Sequence, residues 1–331
     1  MARAVGEQSD KPIVSTFLGT EGVPELLRVP DVAGSSAGRG SVPSYPAVEA
    51  AVRALAHVVE YAVWVRVPQS AVVEPGANDL DAARHLVNEV LMRHPEGRDL
   101  SFDEQFRLLT AYGIDLWDTY AVSTLDEATT AGEALGWDVV LKATADHLRD
   151  RPDLAHVWRN IDGPDHMRDA WASLHALVSD DDSGFIVQRT APPGVPIAIR
   201  SIEDPLFGPV VSFGISGPMT ELLADRSYRI PPLGSRDAAA MVREVRSAPL
   251  LFGYRGAEVV DVGEVERLIR RVAQLQNDMP QISALELGLV LAGPHGSSVL
   301  SAEARLEPVS DARSDWFVRR MPTQAGDTLP S

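Results

Sequence analysis

The sequence predicts an α/β (α+β) protein with more than one compact unit. The chain has 331 residues, 45% hydrophobic and 23% charged, which is enough for two or three units with their own cores. In its first part, short apolar runs typical of strands alternate with amphipathic helical segments. Further along, β-branched runs follow one another closely, which indicates a strand-rich α+β unit.

The first segment combines one strand, one loop and one long helix. Residues 11–19 (KPIVSTFLG) have the β-branched character of a strand, and the Gly-, Ser- and Pro-rich residues 31–43 predict a loop. A helix begins around Pro46 and ends at Pro68. Its apolar residues recur at three- and four-residue spacing, so we expect this face to dock on a core. They are Val48, Val52, Leu55, Val59 and Val63.

The sequence pattern in the middle of the chain changes at Ser101, from an acidic linker to alternating predicted helices and strands. Residues 69–100 are acidic, with one helix predicted at 79–92, and we interpret them as a helical linker. Ser101 and Glu104 have capping-box spacing, and the helix that they start directs Phe102, Phe106 and Leu109 inward. Strands are then predicted at 117–122, 139–143, 184–190, 197–202, 209–215, 285–291 and 298–306. Helices are predicted at 125–135, 164–178, 235–246 and 262–277. We expect a flexible polar tail at residues 309–331.

Composition excludes several classes of function. A formal net charge of −17 argues against a nucleic-acid partner, because a phosphate backbone demands clustered Lys and Arg. The apolar runs fall far short of the ~20 residues of a membrane helix. The chain has no cysteine, hence no disulfide and no thiolate metal site. We therefore expect a cytoplasmic protein without a membrane partner.

Lysine usage singles out one residue. Lys11 and Lys142 are the two lysines among 30 basic residues. Lys142 stands at the end of an apolar strand that enters a loop, where its ammonium can bind a phosphate as a point charge. The structural alternative is a lysine that extends from a strand end to solvent. The scarcity of lysine favours the functional interpretation.

Several blocks, in order, resemble the ATP-grasp region of NDP-forming acyl-CoA synthetases (acetate–CoA ligase-like). The blocks are 112–114 (YGI), 136–143 (GWDVVLKA), 207–214 (FGPVVSFG), 220–225 (TELLAD) with Tyr228 and Arg229, and 248–256 (APLLFGYRG). The resemblance implies an ATP-grasp domain at 101–308, with a small subdomain at 101–182 and a large one at 183–308. Residues 11–66, which include GRGSVPSYP at 38–46, resemble the end of the preceding CoA-ligase domain. Residues 1–68 would then be a partial CoA-ligase (flavodoxin-like) segment.

The resemblance also implies ligands and site residues. ATP or ADP with Mg²⁺ is the expected cofactor, and a separate CoA-binding or CoA-ligase chain is the expected partner. Lys142 would bind the phosphates and Gln188 would lie near the adenine. Glu221, Asp225 and Arg229 would line the cleft around the phosphate. Glu303, and with it Glu286, would hold Mg²⁺ through oxygen.

The chain departs from this family at positions that matter. Asp150 stands where the family has a histidine that relays the phosphoryl group, and residues 155–157 (AHV) replace Gly-Gly-Val. Aspartate is itself a phosphoryl acceptor in other enzymes. Gly288 stands in place of a metal-binding Asn, and Pro196 in place of a Glu. Together these changes put phosphoryl transfer in question, since that chemistry depends on metal and positioned charge.

Interpretations without a functional role also remain open for these residues. Glu221 and Asp225 also fit a solvated acidic face, and His147 and His156 fit loop histidines as well as phosphohistidine roles. Three functions therefore remain: an ATP-grasp component of an acyl-CoA synthetase, a non-catalytic nucleotide-binding or regulatory module, and a folded remnant that acts through protein contacts. Mg²⁺ dependence of nucleotide binding and turnover separates the first two.

Overall fold

The computed structural model divides the chain into two compact units, Met1–Gln69 and Ser70–Ser331. It describes residues 12–17, 19–30, 37–66, 79–144, 157–178, 184–204, 207–217, 220 and 222–309. Across those residues, no helix combines the length and the apolar character needed to cross a membrane.

The first unit is small and has one long helix. Strands β1 (Ser15–Thr16) and β2 (Ser44–Tyr45) pair in parallel, and helix α1 (Val48–Arg66) follows. The predicted helix is confirmed, whereas the strand expected at 11–19 is only two residues long. The expected burial of its apolar face is wrong: Val48, Val52, Val59 and Val63 are each more than half exposed. Two-residue strands offer too little apolar surface to cover a helix of 19 residues.

The second unit begins with two helices that join its larger core. Helix α2 (Leu80–Arg93) is capped by Asp79, whose side chain accepts from the Ala82 N–H at 3.0 Å. Leu86, Val87 and Val90 of α2 are fully buried, so this predicted linker helix is part of the core. A short strand β3 (Arg98–Asp99) leads to helix α3 (Phe102–Ala111).

Helix α3 starts at the capping box that the sequence predicts. The Ser101 and Glu104 side chains each accept a hydrogen bond from the other residue's backbone N–H. Glu104 also accepts two hydrogen bonds from the Arg98 guanidinium, at 2.7 and 2.8 Å. The inward face differs from the prediction: Leu109 is buried, but Phe106 is 46% exposed.

A six-stranded antiparallel sheet forms the larger part of the second unit. Its strand order is β10-β9-β8-β11-β12-β3. The strands are β8 (Val195–Asp204), β9 (Gly208–Ile215), β10 (Arg226–Arg229), β11 (Ile282–Gly293) and β12 (Gly296–Leu306). Helices α6 (Ser235–Glu244) and α7 (Val262–Asp278) cover one face of this sheet. The α7 residues at helical spacing, Val265, Leu268, Ile269 and Val272, pack into the same core.

A four-stranded sheet with its own core forms the smaller part of the second unit. Its order is β4-β7-β5-β6, and all three pairings are antiparallel. The elements are β4 (Thr119–Val122), α4 (Leu125–Ala134), β5 (Val139–Ala143), β6 (Val157–Ile161), α5 (Pro164–His175) and β7 (Phe185–Arg189). Helices α4 and α5 pack against this sheet around buried residues such as Met167 and Phe185.

The two sheets do not divide the chain at the expected subdomain boundary between residues 182 and 183. Strand β7, expected in the large subdomain, pairs with β4 and β5 in the smaller sheet. Helix α3, expected in the small subdomain, packs with the larger core through Leu108 and Leu109. The placement of β7 and of α3 depends on contacts between residues that are distant in sequence. Local sequence patterns do not predict such contacts.

Candidate functional site

Lys142 is held at the centre of the small sheet by Gln188. Buried Val140 and Leu141 precede it in β5, and β7 pairs alongside with Val140 opposite Gln188. The Lys142 Nζ donates a hydrogen bond to the Gln188 Oε1 at 2.6 Å. Burial, with a smaller contribution from the nearby positive charge of Arg159, lowers the pKa of Lys142 to about 8. This lysine is therefore a partly desolvated cation, which differs from the solvent-reaching lysine of the structural alternative.

Gln188 links the smaller sheet to the larger one. Its Nε2 donates to the Thr119 Oγ1 at 2.8 Å and to the Leu300 carbonyl oxygen at 3.1 Å. Thr119 belongs to β4, and Leu300 belongs to β12 of the six-stranded sheet. Gln188 is only 3% exposed, so these bonds satisfy an otherwise costly buried amide. The family resemblance implies that Gln188 lies near the adenine, and that role stays a prediction; in the structure its side chain accepts the hydrogen bond from Lys142.

Glu286 and Glu303 lie next to each other on the larger sheet. They are opposite partners in the pairing of β11 with β12. Leu285 and Leu287 are buried in the core that includes α7, so the alternation of the strand turns Glu286 to the opposite face. The two residues predicted to hold a metal are thus brought together on the face of the sheet that the helices leave open.

Arg200 already contacts this acidic pair. It lies opposite Glu286 in the pairing of β8 with β11, and its Nε donates to the Glu286 Oε1 at 2.6 Å. Both side chains are about one-third exposed. Arg200 was not predicted as a site residue from the sequence. The sequence feature that could have identified it is an arginine in an apolar strand, at a position that alternates with the buried residues Ile199 and Ser201.

Gly288 lies in a β-bulge beside Glu286. The pairing of β11 with β8 passes from Leu287 opposite Ile199 to Val290 opposite Ile197, so two residues of β11 face one residue of β8. A Cβ built on Gly288 would lie 3.4 Å from both the Glu286 Oε1 and the Ser301 Oγ. The missing side chain would therefore point between these two groups, at a distance that allows ordinary contact.

Asp225 is held by a structural turn. It accepts hydrogen bonds at 2.8 Å from the backbone N–H groups of Arg246 and Ser247, and a third at 2.5 Å from the Ser247 hydroxyl. Burial alone would raise the pKa of Asp225, but these hydrogen bonds outweigh it and hold the pKa below its usual value. A carboxylate bound in this way fixes the end of α6 and has little capacity left for a ligand.

Arg229 is also committed to a contact within the protein. It forms a two-pronged ion pair with Glu244 at the end of α6, in which the Nη1–Oε2 distance is 2.9 Å. The structure thus ties both predicted cleft residues, Asp225 and Arg229, to the loop and helix beside edge strand β10. Asp150 and Glu221, and the predicted departures at 155 and 156, lie outside the described residues.

Among the described residues, no three His, Cys, Asp or Glu side chains cluster so that they could hold a metal ion. The candidate site in this part of the chain therefore consists of three groups. Lys142 is the cation and Gln188 holds it, β12 connects the two sheets, and Glu286 of the acidic pair Glu286 and Glu303 forms an ion pair with Arg200.

Comparison with known proteins places the chain in a family. Residues 92–306 match the ATP-grasp domain family, and the chain belongs to it. More particularly, it is similar to the β subunit of acetate–CoA ligase (ADP-forming) II of Pyrococcus furiosus. The two are 29% identical over 231 residues, which cover 68% of this chain and 97% of that subunit. The resemblance stated from sequence is thereby confirmed, and with it the α/β fold class.

A longer relative and two solved structures extend this comparison. Acetate–CoA ligase (ADP-forming) I of Archaeoglobus fulgidus is 28% identical over 298 residues, which cover 88% of this chain and 42% of that protein. The acetyl-coenzyme A synthetase 1 of Ca. Korarchaeum cryptofilum, solved with coenzyme A and Ca-AMPCP, has 30% identity and a TM-score of 0.63. The match covers 68% of this chain and 100% of the Korarchaeum chain. A second structure of that enzyme, with coenzyme A and Mg-AMPPCP, has a TM-score of 0.58 and the same identity and coverage.

Proposed function

We propose that this chain is the nucleotide-binding ATP-grasp component of an ADP-forming acyl-CoA synthetase. It binds ADP or ATP and works with a separate chain that carries the CoA-binding and CoA-ligase parts. A cytoplasmic location belongs to the same proposal. The observation that carries it is Lys142, a half-buried lysine held by a buried glutamine at the junction of two sheets.

The chemistry of Lys142 suits a phosphate ligand. Burial removes water from the ammonium group and lowers its pKa. The hydrogen bond to the neutral amide of Gln188 does not offset this effect. A phosphate oxygen at the ammonium would supply the missing negative charge and raise this pKa again. Binding a nucleotide phosphate therefore relieves an electrostatic cost that the ligand-free site carries.

The relatives support the partner and ligand in this proposal. The Pyrococcus protein is a subunit, and this chain covers nearly all of it. The Korarchaeum structures hold nucleotide analogues together with coenzyme A. The larger Archaeoglobus protein matches this chain over less than half of its own length, so the activity of that whole protein requires parts outside the match.

A Mg²⁺ site made by Glu286 and Glu303 does not fit the described residues. Mg²⁺ requires near-ideal octahedral oxygen coordination, usually from one or two carboxylates and substrate phosphates. Here a guanidinium bonds Glu286, and Gly288 adds no oxygen ligand between Glu286 and Ser301. Glu303 as a metal ligand stays a prediction, and the proposed binding of the nucleotide does not depend on a metal held by these two residues.

A second candidate is a nucleotide-binding module that transfers no phosphoryl group. The ion pair of Arg229 with Glu244 favours it, because it takes a cation that phosphoryl transfer would require at the phosphates. Incubation with ATP labelled at the γ-phosphate separates the two candidates. Transfer to the Asp150 carboxylate would leave ADP and an acyl phosphate on the protein, sensitive to hydroxylamine and absent from Asp150→Asn. The second candidate predicts no labelled protein.

Calorimetric titration with ADP and ATP tests the shared claim of nucleotide binding. We expect Lys142→Ala to weaken binding by about tenfold or more, because a hydrogen bond to a charged group contributes about 1.5–3 kcal/mol. Lys11→Ala removes the other lysine of the chain and should leave the affinity unchanged. Absence of binding by the unmodified protein, or equal binding by Lys142→Ala, would overturn the proposal.

A further inference from the structure

One member of the acidic pair on the larger sheet, Glu286, already binds a cation. Like charges directly opposite each other on neighbouring strands are destabilising, and Glu286 and Glu303 are such a pair. The Arg200 Nε, at 2.6 Å from the Glu286 Oε1, neutralises part of this charge. Strand order puts Arg200 on β8 and Glu303 on β12, on opposite sides of Glu286. The guanidinium thus takes one oxygen of the Glu286 carboxylate, which a divalent cation would need as a ligand.

A metal ion bound at the Glu286 Oε1 would have to displace this contact. A charge-assisted hydrogen bond of 2.6 Å is among the stronger polar contacts of a protein. Gly288 has no side chain and therefore supplies no further oxygen ligand for a metal ion. A side chain at this position would point between Glu286 and Ser301. The donor set therefore favours a resident guanidinium over a bound Mg²⁺.

Arg200 lies near enough to the lysine site to share one ligand with it. Gln188, which holds Lys142, bonds the Leu300 carbonyl of β12, and β12, β11 and β8 are consecutive strands. A strand spacing of ~4.8 Å and a rise of ~3.4 Å per residue put the Arg200 backbone roughly 14 Å from Leu300. Both cations extend on long side chains, so the polyphosphate of one nucleotide can contact both.

We propose that Arg200 is the resident cation of this cleft, and that the phosphates of ADP or ATP bind to Lys142 and Arg200 without a divalent metal. This inference rests on the proposed nucleotide binding and specifies its chemistry. A guanidinium presents five N–H donors, and the bond to Glu286 uses the Nε donor. Glu286 acts as a positioning residue that orients the guanidinium and does not itself contact the ligand.

The test is calorimetric titration of the full chain with ADP in EDTA and in excess MgCl₂. The unmodified protein should bind with equal affinity, within about twofold, under both conditions. Arg200→Gln should lose about tenfold or more in EDTA, the expected cost of one charged contact. Arg243→Gln is the matched control, because it removes another arginine of an Arg–Glu pair, that of Arg243 with Glu266 at 2.8 Å on the helices. It should bind like the unmodified protein.

A second variant tests the reason for metal independence. In Arg200→Gln combined with Gly288→Asn, the Glu286 carboxylate loses its guanidinium partner and an amide oxygen is added where the backbone leaves room. We expect this variant to bind ADP only with a divalent ion, and to give a Mn²⁺ electron paramagnetic resonance signal that changes on adding ADP. Thermal melts by circular dichroism verify that each variant is folded.

The outcomes separate the inference from the proposed function. If the unmodified protein binds ADP only with MgCl₂, or if Arg200→Gln binds in EDTA as tightly as the unmodified protein, the inference is overturned and nucleotide binding stands. If the unmodified protein binds neither ADP nor ATP in either condition, the proposed function fails, and the inference fails with it.

Discussion

The Lys142 Nζ and the Gln188 Oε1 lie 2.6 Å apart, and the same glutamine reaches the backbone of the other sheet at Leu300. One buried side chain therefore both positions the candidate phosphate-binding cation and joins the two sheets. This arrangement predicts that stability and nucleotide affinity respond together to substitution of Gln188.

Gln188→Leu tests that coupling. The substitution leaves the Thr119 hydroxyl, the Leu300 carbonyl and the Lys142 ammonium without their amide partner. We expect a loss of about 2–3 kcal/mol in the free energy of unfolding, measured by urea denaturation, and a weaker ADP affinity.

Gln105→Leu is the control for this substitution, since Gln105 makes a single side-chain bond to the Leu100 carbonyl at 2.7 Å. It should lower stability by about 1 kcal/mol and leave ADP affinity unchanged. Equal effects of the two substitutions on ADP affinity would contradict the positioning role of Gln188.

Nucleotide affinity should depend on pH through Lys142. Its pKa of about 8 in the free protein means that the ammonium is charged below this pH and loses its proton above it. Because phosphate binds the charged form, ADP affinity should be constant below pH 8. It should then fall by up to about tenfold per pH unit above that value. Calorimetry from neutral pH upward measures this profile, and a profile without a break near pH 8 would argue against Lys142 as the phosphate ligand.

The Arg98–Glu104 pair should make stability sensitive to acid. Hydrogen bonds from Arg98, stronger here than the opposing effect of burial, lower the pKa of Glu104 from 4.5 to about 2. Because the folded-state pKa is depressed, this contribution is present above pH 4.5 and is lost as the pH falls towards 2. Glu104→Gln should therefore cost about 1–2 kcal/mol at neutral pH and almost nothing near pH 2.

Glu127→Gln provides the comparison for Glu104→Gln. Glu127 also lies in the first turn of a helix, and its carboxylate accepts from the Ser123 N–H at 2.7 Å. This carboxylate accepts a backbone N–H where Glu104 accepts two hydrogen bonds from a guanidinium, so its substitution should have a smaller effect on urea unfolding. A cost for Glu104→Gln that is the same near pH 2 as at neutral pH would refute the role assigned to the Arg98 contact.

Two glycines allow a test of the packing at strand β3. Gly97 and Gly136 both have positive φ, at +82° and +77°. A Cβ on Gly97 would lie 2.2 Å from the Leu306 carbonyl oxygen, whereas a Cβ on Gly136 meets nothing within 4 Å. Gly136→Ala isolates the backbone strain of about 1 kcal/mol, and Gly97→Ala should cost about 2 kcal/mol more. Equal urea midpoints for the two variants would show that β3 moves freely away from β12.

Local sequence signals predicted most of the elements, because their causes are local. The capping box at Ser101, the Asp79 cap of α2 and the apolar spacing of α7 are properties of neighbouring residues. The strands missed from sequence were the short or polar ones, β2, β3, β6 and β10. Their place in the sheets depends on partners distant in the chain, such as β12 for β3.

The candidate site was predictable only in part. Lys142 was selected because lysine is rare in this chain, and the structure gives it a lowered pKa and a buried partner. Arg200 was missed because its significance comes from Glu286, which is 86 residues away in sequence and opposite it in the sheet. Asp225 and Arg229 were placed at the phosphate by resemblance, but their side chains serve the structure of β10 and α6.

Chemical labelling of lysine tests nucleotide binding at Lys142 most directly. Because the chain has two lysines, mild acetylation followed by mass spectrometry measures the modification rates of Lys142 and Lys11 in one sample. The account predicts that saturating ADP slows the modification of Lys142 by about tenfold or more and leaves that of Lys11 unchanged, since a bound phosphate covers the ammonium and raises its pKa. Equal modification of Lys142 with and without saturating ADP would contradict the central claim that this lysine binds the nucleotide.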